Sequence, residues 1–316
     1  MQRYIINRLL AMIVTLVGVT IIVFLLVRLI PGSIVDIMLG TEALTSYETI
    51  ESLRAYFGLD QPIHIQYFNW IRRVVVGDLG TSWRAGMPVL EFIFSRLPVS
   101  LELAAIAIVI ATLIGVPTGI IAALNHNSWL DNVARIVALL GLSFPLPWQG
   151  TLFVLILSLF FGWAPSMHWV SPLEDLGANL RMMIIPGFCL GTVSAAVIMR
   201  MTRSSMLDVL GQDYIRTGRA KGLTHWVVIA RHALKNALIP VITVAGLQVG
   251  WLLGGSVVVE EIFTLPGVGR LVLWAIYQRD YPTVQGAVLV IAALVMSLNI
   301  VVDVIYGFLD PRIRYD

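Results

Sequence analysis

The chain carries little reactive chemistry, and its most telling cluster is cationic rather than nucleophilic. Arg216, Arg219 and Lys221 fall close together beside the small residues Thr217, Gly218 and Ala220, with Tyr214 before them and Gly222 and Leu223 after. Small side chains let a partner's backbone approach closely, while basic ones at a rim pair with carboxylates. That is the chemistry of docking onto another protein. The remaining candidates do not assemble into a reactive centre. The five histidines (His64, His126, His168, His225 and His232) are scattered and form no His-x-x-x-His pair. The single cysteine, Cys189, sits in an apolar run and rules out an internal disulfide. The only lysines, Lys221 and Lys235, precede Gly and Asn rather than Ser or Thr, so the chain cannot hold ATP as a P-loop does. An integral membrane enzyme would need a nucleophile, base or metal set to converge, and none does.

The elements that must present the cluster are membrane spans. Of 316 residues 58% are hydrophobic and 13% charged, against about 25% charged in a soluble domain. Mean hydropathy is +0.86. A net charge of +2, with no basic stripe, gives no reason to expect nucleic acid as a partner. Charged residues bracket apolar runs long enough to cross the hydrocarbon core. They predict six spans: 9–27; 103–130, whose last residues Asn125, His126 and Asn127 read as a loop; one within 136–172 whose helix ends near Phe161; 182–199; 236–259; and 281–302. The first run is too long for a signal-peptide core and lacks a small-x-small cleavage site, so it is expected to be retained.

Orientation follows from the basic residues near the span ends. Arg3 and Arg8, Arg312 and Arg314, and the seven basic residues between Arg200 and Lys235 all fall on one face if both termini are cytoplasmic. The expected organisation is a first span over 1–30, an external segment over 31–98, and a five-helix core over 99–316 with a cytoplasmic loop at 204–238. Within the external segment the piece from Ile65 has aromatics at helical spacing beside Arg72 and Arg73, which suits an amphipathic helix. In the loop Gly222 should end a short helix. A second helix from about His225 to Leu238 should then lead through Pro240 into the fifth span, forming an intracellular elbow.

Polar groups inside spans are costly and therefore informative. Pro145 and Pro147 should bend the start of the third span, with Gln149 just beyond; packing kink and pore-lining bend are equally open readings. Gln248 and Ser256 read as helix–helix glue or pathway lining. Asn299 and Asp303, four apart, share a face of the last span. Asp303, near the span's end, is expected to anchor there beside an arginine such as Arg312, with a pathway or gate role for Asn299 and Asp303 as the alternative. Glu102 reads as a structural partner for an outer arginine. Gly115, Gly119 and Gly150 read as helix-contact glycines.

The stretches Tyr214-Ile-Arg-Thr-Gly-Arg-Ala-Lys-Gly-Leu223 and Arg231-His-Ala-Leu-Lys-Asn-Ala-Leu-Ile-Pro240 resemble the coupling loop of permease subunits of binding-protein-dependent ABC importers. More narrowly, the chain resembles the B-type subunit of dipeptide/oligopeptide (Dpp/Opp-type) permeases. The likeness extends through Gly58-Leu-Asp-Gln-Pro-Ile63, Gly77-Asp-Leu-Gly80, Arg96-Leu-Pro-Val-Ser-Leu-Glu-Leu-Ala104, Glu260-Glu-Ile-Phe-Thr-Leu-Pro-Gly-Val-Gly269, Arg279-Asp-Tyr-Pro282 and Asp310-Pro-Arg312. Against the wider superfamily's Glu-Ala-Ala–x3–Gly pattern, Arg216, Thr217 and Gly218 occupy the first three positions, so the acidic position is basic here.

The resemblance implies an all-α integral membrane protein with six transmembrane helices of the type I ABC importer permease fold. It implies residues 214–223 inserting into a groove on a cytoplasmic ATPase, and an outer-gate role for the loop bearing Glu260, Phe263, Pro266, Gly267 and Gly269. The implied partners are two cytoplasmic ATPase subunits, which hold ATP and Mg while this chain binds no cofactor, a homologous C-type permease subunit, an extracytoplasmic solute-binding protein and the bilayer. The implied setting is a bacterial or archaeal cytoplasmic membrane. Short peptides are the expected cargo, with glutathione, nickel and oligosaccharide left open. An ion-coupled secondary transporter is the competing class. It would need midplane carboxylates and mirrored halves, which the sequence lacks.

Overall fold

A computed structural model of the chain describes residues 2–29, 60–166 and 168–309. Residues 31–59 of the expected external segment, including Gly58, lie outside these, as do Arg312 and the Asp310-Pro-Arg312 motif. The described chain runs α1 (Gln2–Leu29), α2 (Ile63–Val75), a hairpin of β1 (Thr81–Ser82) and β2 (Met87–Pro88), α3 (Val89–Leu124), α4 (Trp129–Ser143), α5 (Leu146–Phe161), α6 (Leu176–Leu210) and α7 (Asp213–Ala220). It continues through α8 (His225–Val227), a π-helical turn (Val228–Ala233), α9 (Leu234–Ile262), α10 (Val268–Tyr277) and α11 (Tyr281–Leu309). Among the described residues five helices are long and apolar enough to cross a membrane, and the bent pair α4–α5 makes a sixth span if counted as one.

The chain divides into two compact units, one of residues 8–96 and 271–294 and one of residues 1–7, 97–270 and 295–316. In the first, the aromatics expected on an amphipathic helix pack α2 onto α1. Phe24, 2% exposed, meets the Tyr67 ring edge-on at 5.2 Å and Trp70 at 5.6 Å. The Arg28 guanidinium lies 3.4 Å above the Phe24 ring and donates to Gln66 Oε1 at 2.7 Å. The hairpin pairs antiparallel, and Ser82 donates to the buried Asp280 carboxylate, as does Thr283 at 2.7 Å.

In the second unit α6 is the central helix, with α4, α5 and α9 packed around it. Glycines allow the closest approach. A Cβ at Gly115 would stand 2.7 Å from Ala195 O, and one at Gly119 would stand 2.6 Å from Thr202 Cβ. The helix-contact reading of these glycines is therefore right, and α3 and α6 meet backbone to backbone as small residues permit in membranes. Gly150 similarly faces Ile262, at 3.0 Å.

One sequence expectation is met more sharply than stated, and another is not met. The expected bend in the third span is a 101° break between α4 and α5. Pro145 is extended at the N-cap of α5, where a proline starts a helix rather than distorting its interior. The second helix expected over 225–238 is not separate from the fifth span. His225 to Ile262 is continuous, with Pro240 inside it. A proline is tolerated within a membrane helix because neighbouring groups and local helix adjustments re-satisfy the freed backbone; a π-helical turn lies upstream of it, over Val228–Ala233.

Candidate functional site

α7 is short and charged, and it is held by one apolar side chain. Ile215 is fully buried in a cluster with Ala123, Met206, Val228, Ile229, Ala233 and Ala237, drawn from α3, α6, the π-helical turn and α9. Tyr214 OH accepts from Asn236 Nδ2 at 2.9 Å. Asp213 in the first turn and Arg219 in the last each complement the helix dipole. Gly222 lies just beyond the C-cap residue Lys221 at φ 81°, a left-handed conformation that favours glycine. A Cβ there would meet nothing within 4 Å. The short helix and its glycine stop thus stand where the sequence placed them.

With Ile215 turned inward, Arg216, Thr217, Arg219, Ala220 and Lys221 are exposed. Among the described residues Arg216 pairs with Asp213 at 3.5 Å between two solvated side chains, which holds neither in place. Gly218 is half-buried instead, with Leu223 Cδ1 3.6 Å from where its Cβ would be. Within the same stretch of chain Trp226 (72% exposed), Tyr214 and Leu223 are also exposed. A large exposed apolar group rimmed by charge is the composition of a docking surface. Trp226 was missed in the sequence because it lies outside the basic stretch.

The loop after α9 is pinned from within. Glu260 is fully buried; it accepts from Ser100 Oγ at 2.7 Å and from the Arg270 backbone N–H at 3.0 Å. Ser100 Oγ in turn accepts from the Val268 N–H at 2.8 Å. A Cβ on Gly267 would collide with the Glu260 carboxyl, and one on Gly269 would stand 2.6 Å from Val257 Cα. Phe263 is buried and meets Trp163 at 6.1 Å, and Pro266 is half-buried. Arg270 Nη1 donates to Thr264 O at 2.6 Å. Ser100 sits in the Arg96–Ala104 motif, but nothing in the sequence pairs it with Glu260.

The polar residues inside the helices serve mostly as internal joints. Gln149 donates to Phe144 O at 2.9 Å and Gly141 O at 3.1 Å, and accepts from Thr192 Oγ1 at 3.1 Å. It occupies carbonyls freed where α4 ends and ties the break to α6. Gln248 donates to Ser194 Oγ at 3.1 Å, linking α9 to α6. Ser256 is buried and bonds Leu253 O of its own helix. Asn299 faces α9, its Oδ1 3.3 Å from where a Cβ on Gly250 would lie, and Asp303 is half-buried one turn along the same helix. The partner expected for Glu102 was an arginine; it is Trp169, whose Nε1 donates at 2.9 Å, because the segment between α5 and α6 folds back to α3.

One strong joint had no sequence signal. Arg203 on α6 makes a bidentate pair with the fully buried Asp131 on α4, at 2.6 and 2.7 Å, and Asp131 Oδ2 also accepts from the Asn127 N–H. The residues lie far apart in sequence, and only helix packing brings them together.

The described residues thus form a multi-pass helical fold with a broken span, a buried polar lock and an exposed cationic helix. Residues 115–315 match the family described as binding-protein-dependent transport system inner membrane component, and residues 1–104 match its N-terminal counterpart. The chain belongs to this family; it is a multi-pass permease component. It is 41% identical to the dipeptide transport system permease protein DppB of Alkalihalophilus pseudofirmus, covering all of both chains. To DppB of Escherichia coli K12 it is 42% identical, covering all of this chain and 99% of that one. To the glutathione transport system permease protein GsiC of Salmonella choleraesuis it is also 42% identical, over the whole of both. Its fold is shared with a chain of the inward-facing MetNI methionine ABC transporter, with a TM-score of 0.58 at 19% identity over 70% of this chain and 97% of that one.

Proposed function

We propose that this chain forms half of the translocation pathway of an ATP-driven importer of short peptides and receives mechanical work through α7. The observation that carries the reading is the exposed Arg216–Arg219–Lys221 face, anchored from behind by Ile215. It occurs in a chain similar end to end to dipeptide permeases. A helix fixed on one side and solvated on the other, continuous through its loop with the long helix α9, can pass a push into the spans. In this reading both termini and α7 are cytoplasmic. Two ATPase subunits hold ATP and Mg and close beneath the membrane, a second, C-type permease completes the pathway, and an extracytoplasmic binding protein delivers cargo. The loop with Glu260, Phe263, Pro266, Gly267 and Gly269 is largely buried and pinned, which suits a rigid seal of the outer gate better than a surface offered to the binding protein. Asp303 and Asn299 act as anchors between helices.

The test is co-purification of the ATPases with the paired permeases. Arg216→Glu with Arg219→Glu, or Gly222→Trp, is expected to abolish ATPase recruitment while membrane insertion persists. Gly222 has open space around it but a positive φ, so its replacement also strains the end of α7, and the charge-reversal pair carries the test. Retained recruitment and uptake in both variants would sink the docking role. Likeness to GsiC makes glutathione the second cargo to assay beside dipeptides.

A further inference from the structure

A second basic cluster lies apart from α7, in a cavity of about 620 Å³ between α4, α6 and α9. Arg135, Arg200, Arg203 and Ser204 line it on the polar side, and Leu139 and Val244 on the apolar side. Arg203 is committed to Asp131. Arg135 and Arg200 are exposed and, among the described residues, neither makes a direct ion pair or side-chain hydrogen bond. The cavity therefore holds two guanidinium groups beyond the one carboxylate already bound. Such a fork suits a phosphate oxyanion.

Depth says what carries that phosphate. Arg181 and Arg200 bracket the charge-free run 182–199 of α6. At 1.5 Å per residue it spans about 27 Å, close to the roughly 30 Å of a hydrocarbon core. Arg200 accordingly stands at the level of lipid headgroups. Beside Arg135 and Leu139, the α4 side chains Ile136 and Leu140 are exposed and apolar, a surface along which acyl chains can lie. We infer that the Arg135–Arg200 cavity binds the phosphate of an anionic phospholipid headgroup, held over the Asp131–Arg203 joint. Basic pockets between spans recognise such headgroups by charge and hydrogen bonding.

Native mass spectrometry of the intact, delipidated chain tests this without ATPases or nucleotide, so its outcome is independent of the transport reading. Phosphatidylglycerol is expected to fill a first site at least tenfold more tightly than phosphatidylcholine. Arg135→Gln with Arg200→Gln should erase that preference, and the paired lysine substitutions should retain part of it. Competition by millimolar inorganic phosphate alone would support the same oxyanion site with a free anion as its source. Equal affinity for the two lipids in the wild-type chain, unchanged preference in the glutamine variant, or displacement of the lipid by a millimolar dipeptide would each overturn the inference.

Discussion

Glu260 shows how one side chain can fix a loop whose motif is otherwise only glycine, proline and apolar residues. Its two oxygens accept hydrogen bonds from the buried Ser100 hydroxyl and the Arg270 backbone N–H, and two glycines leave room for the carboxyl group. Glu260→Gln keeps the shape but puts a donor where an acceptor is needed. It should lower stability by about 1–3 kcal/mol, read as a fall in thermal unfolding temperature in detergent; an unchanged melt would show that the carboxylate is dispensable. Gly218 is the opposite case. Its Cβ would make ordinary contacts only, and alanine is favoured over glycine inside a helix by about 1 kcal/mol. Gly218→Ala should therefore leave α7 intact or slightly firmer, measured as equal or slower amide exchange over 213–220. Any loss of ATPase binding in that variant would then report on the docked partner's fit at this position.

At the scale of elements, α7 depends on Ile215 and the broken span depends on a joint that joins helices far apart in sequence. Ile215→Ala removes the buried anchor and leaves the cations untouched. By the usual cost of a large-to-small core change, about 2–5 kcal/mol, α7 should detach. Hydrogen exchange at 213–220 should accelerate strongly while exchange in α6 is unaltered; protection retained at α7 would mean that other contacts hold it. Asp131→Asn breaks one side of a buried ion pair and strands Arg203. A loss of about 3–5 kcal/mol is expected from such a break, visible as a large fall in melting temperature, whereas a small change would mean that water or lipid already reaches the pair.

For the whole molecule, the prediction concerns Asp303. Asp303→Asn should insert, assemble with its companion subunits and support uptake, because an amide can replace a carboxylate in an anchoring contact. Loss of uptake with assembly intact, measured in reconstituted vesicles, would promote Asp303 to a gate residue.

What the sequence alone determined is what local chemistry sets. Charges bracketing apolar runs gave the spans, because a charge in hydrocarbon is expensive whatever the fold. Gly222 and the basic run gave α7, because a helix stop and a solvated cationic face are local properties. Small residues at Gly115 and Gly119 marked close helix contact. Tertiary structure alone decided the pairings of Asp131 with Arg203, Ser100 with Glu260 and Trp169 with Glu102, and the placing of Arg135 and Arg200 in one cavity from two helices. Hydropathy says that a helix must be buried in lipid or protein, but not which neighbour it meets or at what rotation. A polar pair between distant helices leaves no periodic trace, so it becomes visible only once the helices have packed.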